Sequence, residues 1–186
     1  MAASNPAHAD VRSGGMQNPI RVLFLCTKNS ARSQIAEALL KKKGGDRFVV
    51  ASAGTSPGKE VRPEALAALR ALGIDWSAAK PKGLDRIVEA DWDMVITLCD
   101  RARESCPNLP SRPVTAHWGI PDPIETTHVS HRANAFDDTV SLLSWRIDLM
   151  LALRTELLER LVVQERLKAI ATQVPPSQLT SPPGAQ

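Results

Sequence analysis

The chain has 186 residues, of which 43% are hydrophobic and 23% are charged, and its formal net charge is +3. This length and composition favour one domain with a hydrophobic core, and the dispersed basic residues argue against a nucleic-acid-binding surface. No apolar run reaches the roughly 20 residues that a membrane-spanning helix needs, and no signal-peptide core is visible, so we expect a cytoplasmic protein with no membrane contact.

The two ends of the chain differ in composition from the rest. Residues 1–18 are rich in Ala, Ser, Gly and Asn without periodicity, and residues 171–186 hold four prolines among small polar residues. Such segments bury too little apolar surface to fold, so we predict two disordered tails around one domain at 19–170. The sequence leaves open whether translation starts at Met1 or at Met16.

Strand and helix patterns alternate through the predicted domain. Short apolar runs predict strands at 20–25, 48–53, 93–98 and 114–117. The spacing of apolar residues predicts helices at 33–43, 63–72 and 136–167. This alternation predicts an α/β fold, a four-stranded parallel sheet with helices on both faces, whose ligands bind beyond the carboxyl ends of the strands.

Cys26 directly follows the first predicted strand, and five residues separate it from Arg32 at the start of a helix. Backbone N–H groups, the helix N-terminus and the Arg32 guanidinium would together bind a tetrahedral oxyanion. The same positive field is expected to lower the pKa of Cys26 and give a thiolate nucleophile, the alternative being a small buried cysteine without chemistry. The predicted oxyanion-binding loop consists of Thr27, Lys28, Asn29, Ser30, Ala31, Arg32 and Ser33.

Asp122 is the candidate proton donor for an oxygen that leaves the bound oxyanion. It lies between Pro121 and Pro123, whose rings restrict the direction of its side chain. Taken alone, an aspartate between prolines is more often a turn residue than a general acid.

Several blocks of the sequence resemble one family. The stretch 22–34 and the following 36–38 resemble the low-molecular-weight protein tyrosine phosphatases and the arsenate reductases that share their fold. Further similar blocks lie at 52–54, 73–75, 95–100 and 117–123. The resemblance covers about residues 20–155 and implies a phosphatase-like fold, with Cys26 as nucleophile, Arg32 as oxyanion ligand and Asp122 as general acid.

Three cysteines, an odd number, argue against a secreted disulfide framework. The segment that holds Cys99 and Cys106 resembles the redox helix of thioredoxin-coupled arsenate reductases. The resemblance implies that Cys26 attacks arsenate, that Cys99 attacks Cys26 and releases arsenite, and that Cys106 attacks Cys99. An external dithiol such as thioredoxin would reduce the final disulfide. A helix would hold Cys99 and Cys106 about 10 Å apart, so we expect this segment to unwind; the alternative is two unrelated buried cysteines.

Three functions stay open at this point. Arsenate reduction is favoured, with no bound cofactor and with thioredoxin, glutaredoxin or mycothiol as reductant. The alternative is a phosphatase for phosphate monoesters, although eukaryotic phosphatases of this fold place tyrosines after the Asp-Pro pair and this chain has no tyrosine. The third is an oxyanion-binding regulator without turnover, which would not require Asp122, Cys99 and Cys106.

Some arsenate reductases of this fold bind potassium through residues that match Asn29, Glu37 and Ser52, together with an acidic residue. Near the position of that acidic residue, this chain has Lys80 and Lys82. A lysine ammonium next to Glu37 would replace the cation, so we predict that the protein binds no metal.

Overall fold

The computed structural model describes residues 18–87, 90–125, 129–153 and 160–173. Within these ranges one parallel sheet is formed by β1 (Ile20–Cys26), β2 (Phe48–Gly54), β3 (Met94–Thr97) and β4 (Val114–His117). The strand order is β2-β1-β3-β4, so β1 and β3 are the inner strands. The predicted α/β fold is confirmed, and the tails expected at 1–18 and 171–186 fall almost entirely outside the described residues.

Helices connect and cover these strands: α1 (Arg32–Gly44), α2 (Pro63–Ala71), α3 (Asp100–Glu104), α4 (Arg132–Ala152) and α5 (Arg160–Thr172). Pro63 begins α2, where the missing N–H of proline has no intrahelical partner to lose. Lysines fill the last turn of α1, where cations meet the negative end of the helix dipole. In the part of the chain that is described, no helix has both the length and the hydropathy needed to cross a bilayer.

Different elements bury the two faces of the sheet. Along β1, Val22 and Phe24 belong to a large apolar cluster that includes residues of α1, α2, α4 and α5. Leu23 and Leu25 belong to a smaller cluster with Ala102 of α3. Because successive strand residues point to opposite faces, β1 is buried on both sides, as is typical of an inner strand in a parallel sheet.

The helical stretch predicted for 136–167 consists of two helices. α4 ends at Ala152, and Leu153 has extended backbone angles, φ −72° and ψ 128°. α5 adds three more residues to the large cluster, Val163, Leu167 and Ile170. Both helices bury one face in the same core. The helical spacing of apolar residues therefore continues from α4 into α5 and does not reveal where α4 ends. Residues 154–159 of the predicted stretch lie outside the described residues.

Candidate active site

The ends of β1 and β3 and the loop after β4 meet at one edge of the sheet. Cys26 ends β1, Cys99 lies just beyond β3, and Asp122 lies in the loop beyond β4. These segments surround a cavity of about 560 Å³ whose walls include Cys26, Arg32, Cys99 and Asp122. The structure therefore brings four of the five predicted catalytic residues together, while Cys106 lies outside the walls of this cavity.

The carbonyl groups of the loop after Cys26 point toward segment 55–62. Hydrogen bonds of 2.8–3.2 Å run from amides of segment 55–62 to the carbonyl oxygens of Cys26, Thr27, Lys28 and Ser30. Because N–H and C=O point in opposite directions across a trans peptide, the N–H groups that follow these carbonyls point away from that segment. One of them, the N–H of Asn29, donates to Cys26 Sγ at 3.1 Å. This is the geometry of an anion-binding nest.

Asn29 fixes the shape of the loop. Its φ of +48° lies in the left-handed region that asparagine tolerates. Its Nδ2 donates to Ser33 Oγ and Ser52 Oγ, both at 2.8 Å, and its Oδ1 accepts from Gln34 Nε2 at 2.9 Å and from the Lys82 N–H at 2.8 Å. Every donor and acceptor position of the buried amide is thus used.

Exposure varies around the predicted loop. Lys28 is exposed, and Thr27 and Arg32 are half-buried. The remaining predicted loop residues are buried, namely Asn29, Ser30, Ala31 and Ser33. Most of the predicted loop is therefore buried, and the positively charged side chain of Lys28 is its exposed part.

Gln34 was not identified from the sequence, although it is fully buried beside the loop. Its Oε1 accepts a hydrogen bond from Trp76 Nε1 at 2.7 Å, and its Nε2 also donates to the Lys80 carbonyl at 3.2 Å. Gln34 therefore joins α1 to the segment around 76–82. The available signal was its place directly after Ser33 and beside Ile35 and Ala36, in the first turn of the predicted helix.

Cys26 is only 3% exposed, and its Sγ lies 2.9 Å from Ser33 Oγ. Burial raises the pKa of the Cys26 thiol above its ordinary value, against the opposing effects of the Ser33 and Asn29 hydrogen bonds and of the Arg32 charge. The predicted lowering of this pKa is therefore wrong for the free site. Arg32 is engaged elsewhere, since its Nη2 donates to Asp122 Oδ2 at 2.6 Å and its Nη1 to the Ile120 carbonyl at 2.9 Å.

Alkylation of Cys26 by iodoacetamide should accelerate with rising pH and still be rising at about pH 9, because a raised pKa moves thiolate formation to higher pH. Asp122→Asn removes the negative charge beside Arg32 and should shift the curve to lower pH. Mass spectrometry of the Cys26 peptide in a Cys99→Ser/Cys106→Ser background measures the rate. Asp148→Asn, at a distant exposed site, is the control; a rate already constant from pH 7 upward would contradict the assignment.

Cys99 lies between the other two cysteines. Its Sγ is 3.3 Å from Thr27 Oγ1, on the wall of the Cys26 cavity. Cys26 belongs to the large apolar cluster and Cys106 contacts the small one, while Cys99 contacts both. All three thiols are free, and burial raises the pKa of the Cys106 thiol. Of the three cysteines, Cys99 is the one that contacts both clusters.

The helix between Cys99 and Cys106 is shorter than expected. α3 spans Asp100–Glu104, so it begins after Cys99 and ends before Cys106. A helix of one turn and little more has few hydrogen bonds to set against the cost of its nucleation. Bringing the sulfurs of Cys99 and Cys106 together therefore requires less unwinding than if one continuous helix included both cysteines.

Glu37 is 2% exposed and is linked to Asn29 through Ser52, which hydrogen-bonds to both. Its Oε2 accepts from Ser52 Oγ at 2.6 Å and from Lys82 Nζ at 2.9 Å, and its Oε1 accepts from Lys41 Nζ at 2.7 Å. Of the two lysines expected near Glu37, the structure places the ammonium of Lys82 there, and it adds Lys41, which the sequence had not indicated. Among the described residues, no group of three or more His, Cys, Asp or Glu is arranged to hold a metal ion.

Comparisons with known sequences agree with this geometry. The family described as low molecular weight phosphotyrosine protein phosphatase matches residues 21–158. Arsenate reductase 1 of Bacillus cereus is 41% identical over 108 residues, which cover 58% of this chain and 80% of that protein. The arsenate reductase of Bacillus subtilis is 37% identical over 121 residues, which cover 65% of this chain and 86% of that protein.

Solved structures give the same result. An arsenate reductase in the phosphate-binding state has a TM-score of 0.59 at 28% identity, covering 72% of this chain and 97% of its own. The thioredoxin-dependent arsenate reductase of Corynebacterium glutamicum has a TM-score of 0.52 at 30% identity, covering 72% of this chain and 64% of its own. Vibrio vulnificus Wzb, solved with benzylphosphonate, shares the fold, with a TM-score of 0.61 at 20% identity over 72% of this chain and 97% of its own. With its family match and its Cys26 loop at the sheet edge, the chain belongs to the low molecular weight phosphotyrosine protein phosphatase family.

Proposed function

We propose that the chain reduces arsenate to arsenite, with Cys26 as nucleophile and Cys99 and Cys106 as a thiol relay. The placement of Cys99 carries this proposal, because its Sγ lies on the wall of the Cys26 cavity while its side chain also contacts the cluster that Cys106 joins. A phosphatase has no use for either thiol. The similarity to arsenate reductases over 80% and 86% of their lengths supports the same conclusion.

In the first step the Cys26 thiolate attacks arsenic(V). The N–H groups of the loop and the Arg32 fork bind the arsenate oxygens, for which Arg32 exchanges its contact with Asp122. Asp122, released from Arg32, takes up the proton that the Cys26 thiol loses and donates it to the departing hydroxide, which leaves as water. A covalent adduct with a sulfur–arsenic bond remains on Cys26.

In the second step the Cys99 thiolate attacks the Cys26 sulfur. The sulfur–arsenic bond breaks, its electron pair stays on arsenic, and arsenite is released as a Cys26–Cys99 disulfide forms. Cys106 then attacks Cys99 and frees the Cys26 thiolate, and an external dithiol reduces the Cys99–Cys106 disulfide by exchange. The two electrons that reduce arsenic thus come finally from that dithiol.

A thioredoxin-type protein is the reductant that we propose. The support is the similarity to the thioredoxin-dependent arsenate reductase of Corynebacterium glutamicum, at 30% identity. Because the relay starts from three free thiols, we also place the protein in the reducing cytoplasm. No bound cofactor takes part in the proposed cycle.

Arsenate-dependent oxidation of NADPH, coupled through thioredoxin reductase and thioredoxin, tests the proposal. The wild-type protein should turn over steadily and Cys26→Ser should not. Phosphate in place of arsenate is the matched control, because it fits the same loop but accepts no electrons from the thiols. Hydrolysis of an aryl phosphate at ordinary enzymatic rates without arsenate reduction would favour the phosphatase, and arsenate binding without either reaction would favour a regulator.

We propose further that Lys82 takes the place of a metal cation at Glu37, which predicts a stability insensitive to potassium. Lys82→Met removes one of the three hydrogen bonds to the buried carboxylate and should lower the free energy of unfolding by about 1–2 kcal/mol, since Lys82 is partly exposed. Urea unfolding in potassium and in tetramethylammonium salts measures this. Potassium should stabilise Lys82→Met but neither the wild type nor the exposed control Lys42→Met; a potassium-stabilised wild type would refute the replacement.

A further inference from the structure

α5 lies beyond residues 21–158, the part of the chain that matches the family. It is nevertheless integral to the core, because Val163, Leu167 and Ile170 are buried in the large cluster. It packs on β4, the edge strand that leads into the loop with Asp122. α5 therefore lies next to the strand that leads into the loop of the candidate general acid.

Two buried side chains join α5 to that loop. Trp118, immediately after β4, donates from Nε1 to the Leu167 carbonyl at 3.2 Å. Arg146 of α4, which is 6% exposed, donates from Nη2 to the Ala171 carbonyl at 2.8 Å and from Nη1 to the Trp118 carbonyl. A buried guanidinium needs such acceptors, and the Ala171 carbonyl lies in the last turn of α5, where the helix dipole favours a cation.

The active site holds the same loop from the other side. Arg32 binds the Ile120 carbonyl at 2.9 Å and the Asp122 carboxylate at 2.6 Å. Between the two attachments lies Gly119, with φ +29°, a residue type with wide backbone freedom. When arsenate draws Arg32 away from Asp122, one of the site's own attachments is lost. The attachments at Trp118 then hold this segment together with the backbone hydrogen bond from the Ile120 N–H to the Leu98 carbonyl at 2.8 Å.

We propose that α5 and Arg146 form a brace that positions Asp122 for proton transfer. This inference rests on the proposed function, in which Asp122 is the general acid. Without the brace the loop shifts, and an error of about 1 Å in the position of a reacting group costs up to about 100-fold in rate. The Cys26 loop is built by other contacts, so arsenate binding should persist.

Leu167→Ser tests the brace, because it places a hydroxyl in the buried face of α5. We expect kcat for arsenate to fall at least about tenfold with KM unchanged, and Leu167→Met to restore kcat. Val162→Ser, at a position of the same helix that is 41% exposed, is the control and should change neither constant. In an Asp122→Asn background Leu167→Ser should have no further effect, because the brace acts through Asp122. An undiminished effect in that background would overturn the proposal.

Hydrogen exchange gives a readout that does not depend on activity. In Leu167→Ser, amides of 118–125 should exchange faster while those of 26–33 stay as in the wild type. If the variant loses protection in β1 as well, Arg146→Lys replaces it, since lysine keeps the charge but cannot reach both carbonyls at once. Unchanged exchange at 118–125 would refute the brace. If the wild-type protein does not reduce arsenate, the proposed function is refuted. The hydrogen-exchange result then tests the brace by itself.

Discussion

The Cys106→Ser variant should produce one arsenite per enzyme molecule and then stop. In the proposed relay, arsenite release requires only Cys26 and Cys99, so the first turnover should proceed at close to the wild-type rate. Steady turnover with thioredoxin should fall by at least about 100-fold, because the disulfide left behind includes Cys26, which is 3% exposed and poorly accessible to an external dithiol. In the proposed relay, Cys106 transfers the disulfide away from the buried nucleophile.

Rapid quenching followed by arsenite measurement separates the first turnover from later ones. Mass spectrometry should find a Cys26–Cys99 disulfide in the stalled Cys106→Ser variant. The arsenite measurement should detect no product from Cys99→Ser. Ser105→Ala, next to the relay cysteine, serves as the control for local disturbance and should turn over steadily. Steady turnover of Cys106→Ser at the wild-type rate would rule out the relay.

Arg32→Lys should lower kcat/KM for arsenate by about 100- to 1,000-fold, although the positive charge is kept. The guanidinium fork binds two oxygens at once and, in the free site, holds both the Ile120 carbonyl and Asp122. An ammonium group supplies a point charge without that geometry. Loss of one donor aimed at developing negative charge has an effect of this size in other enzymes.

Steady-state kinetics with arsenate, and inhibition by phosphate, measure this effect. The phosphate inhibition constant should rise in Arg32→Lys because both oxyanions use the same fork. Arg70→Lys makes the same chemical change at an exposed position of α2 and should leave both constants unaltered. A loss smaller than about fivefold in Arg32→Lys would show that charge alone suffices and that the fork is not needed.

Apolar runs and residue order allowed the sheet and the position of the loop after β1 to be predicted, because both depend on local pattern. The division between α4 and α5 escaped prediction, since both helices bury apolar residues in one core and their spacing runs on through Leu153. A lysine beside Glu37 was expected, either Lys80 or Lys82. Gln34 was missed because its contacts depend on how α1 packs against a distant segment, and Lys41 was missed although it lies one helical turn from Glu37. Arg146 was missed for the same reason as Gln34.

The pKa of Cys26 shows a different limit. The sequence identifies the positive groups near the sulfur, but it does not show how deeply the sulfur is buried or where the Arg32 fork points. Burial proved to be the larger influence, and Arg32 is paired with Asp122 in the free site. Sequence patterns therefore indicate which groups meet, while the balance among them follows from the packed structure.

The Arg32–Asp122 pair also affects how well Cys26 resists oxidation when no substrate is bound. Peroxide oxidises the thiolate of cysteine and leaves the protonated thiol nearly untouched. Burial raises the pKa of Cys26 and so favours the protonated thiol, the form that reacts slowly with peroxide. In the proposed cycle we therefore expect the burial of Cys26 and the Arg32–Asp122 pair to limit oxidation of the free enzyme, and a bound oxyanion that engages Arg32 to end this protection.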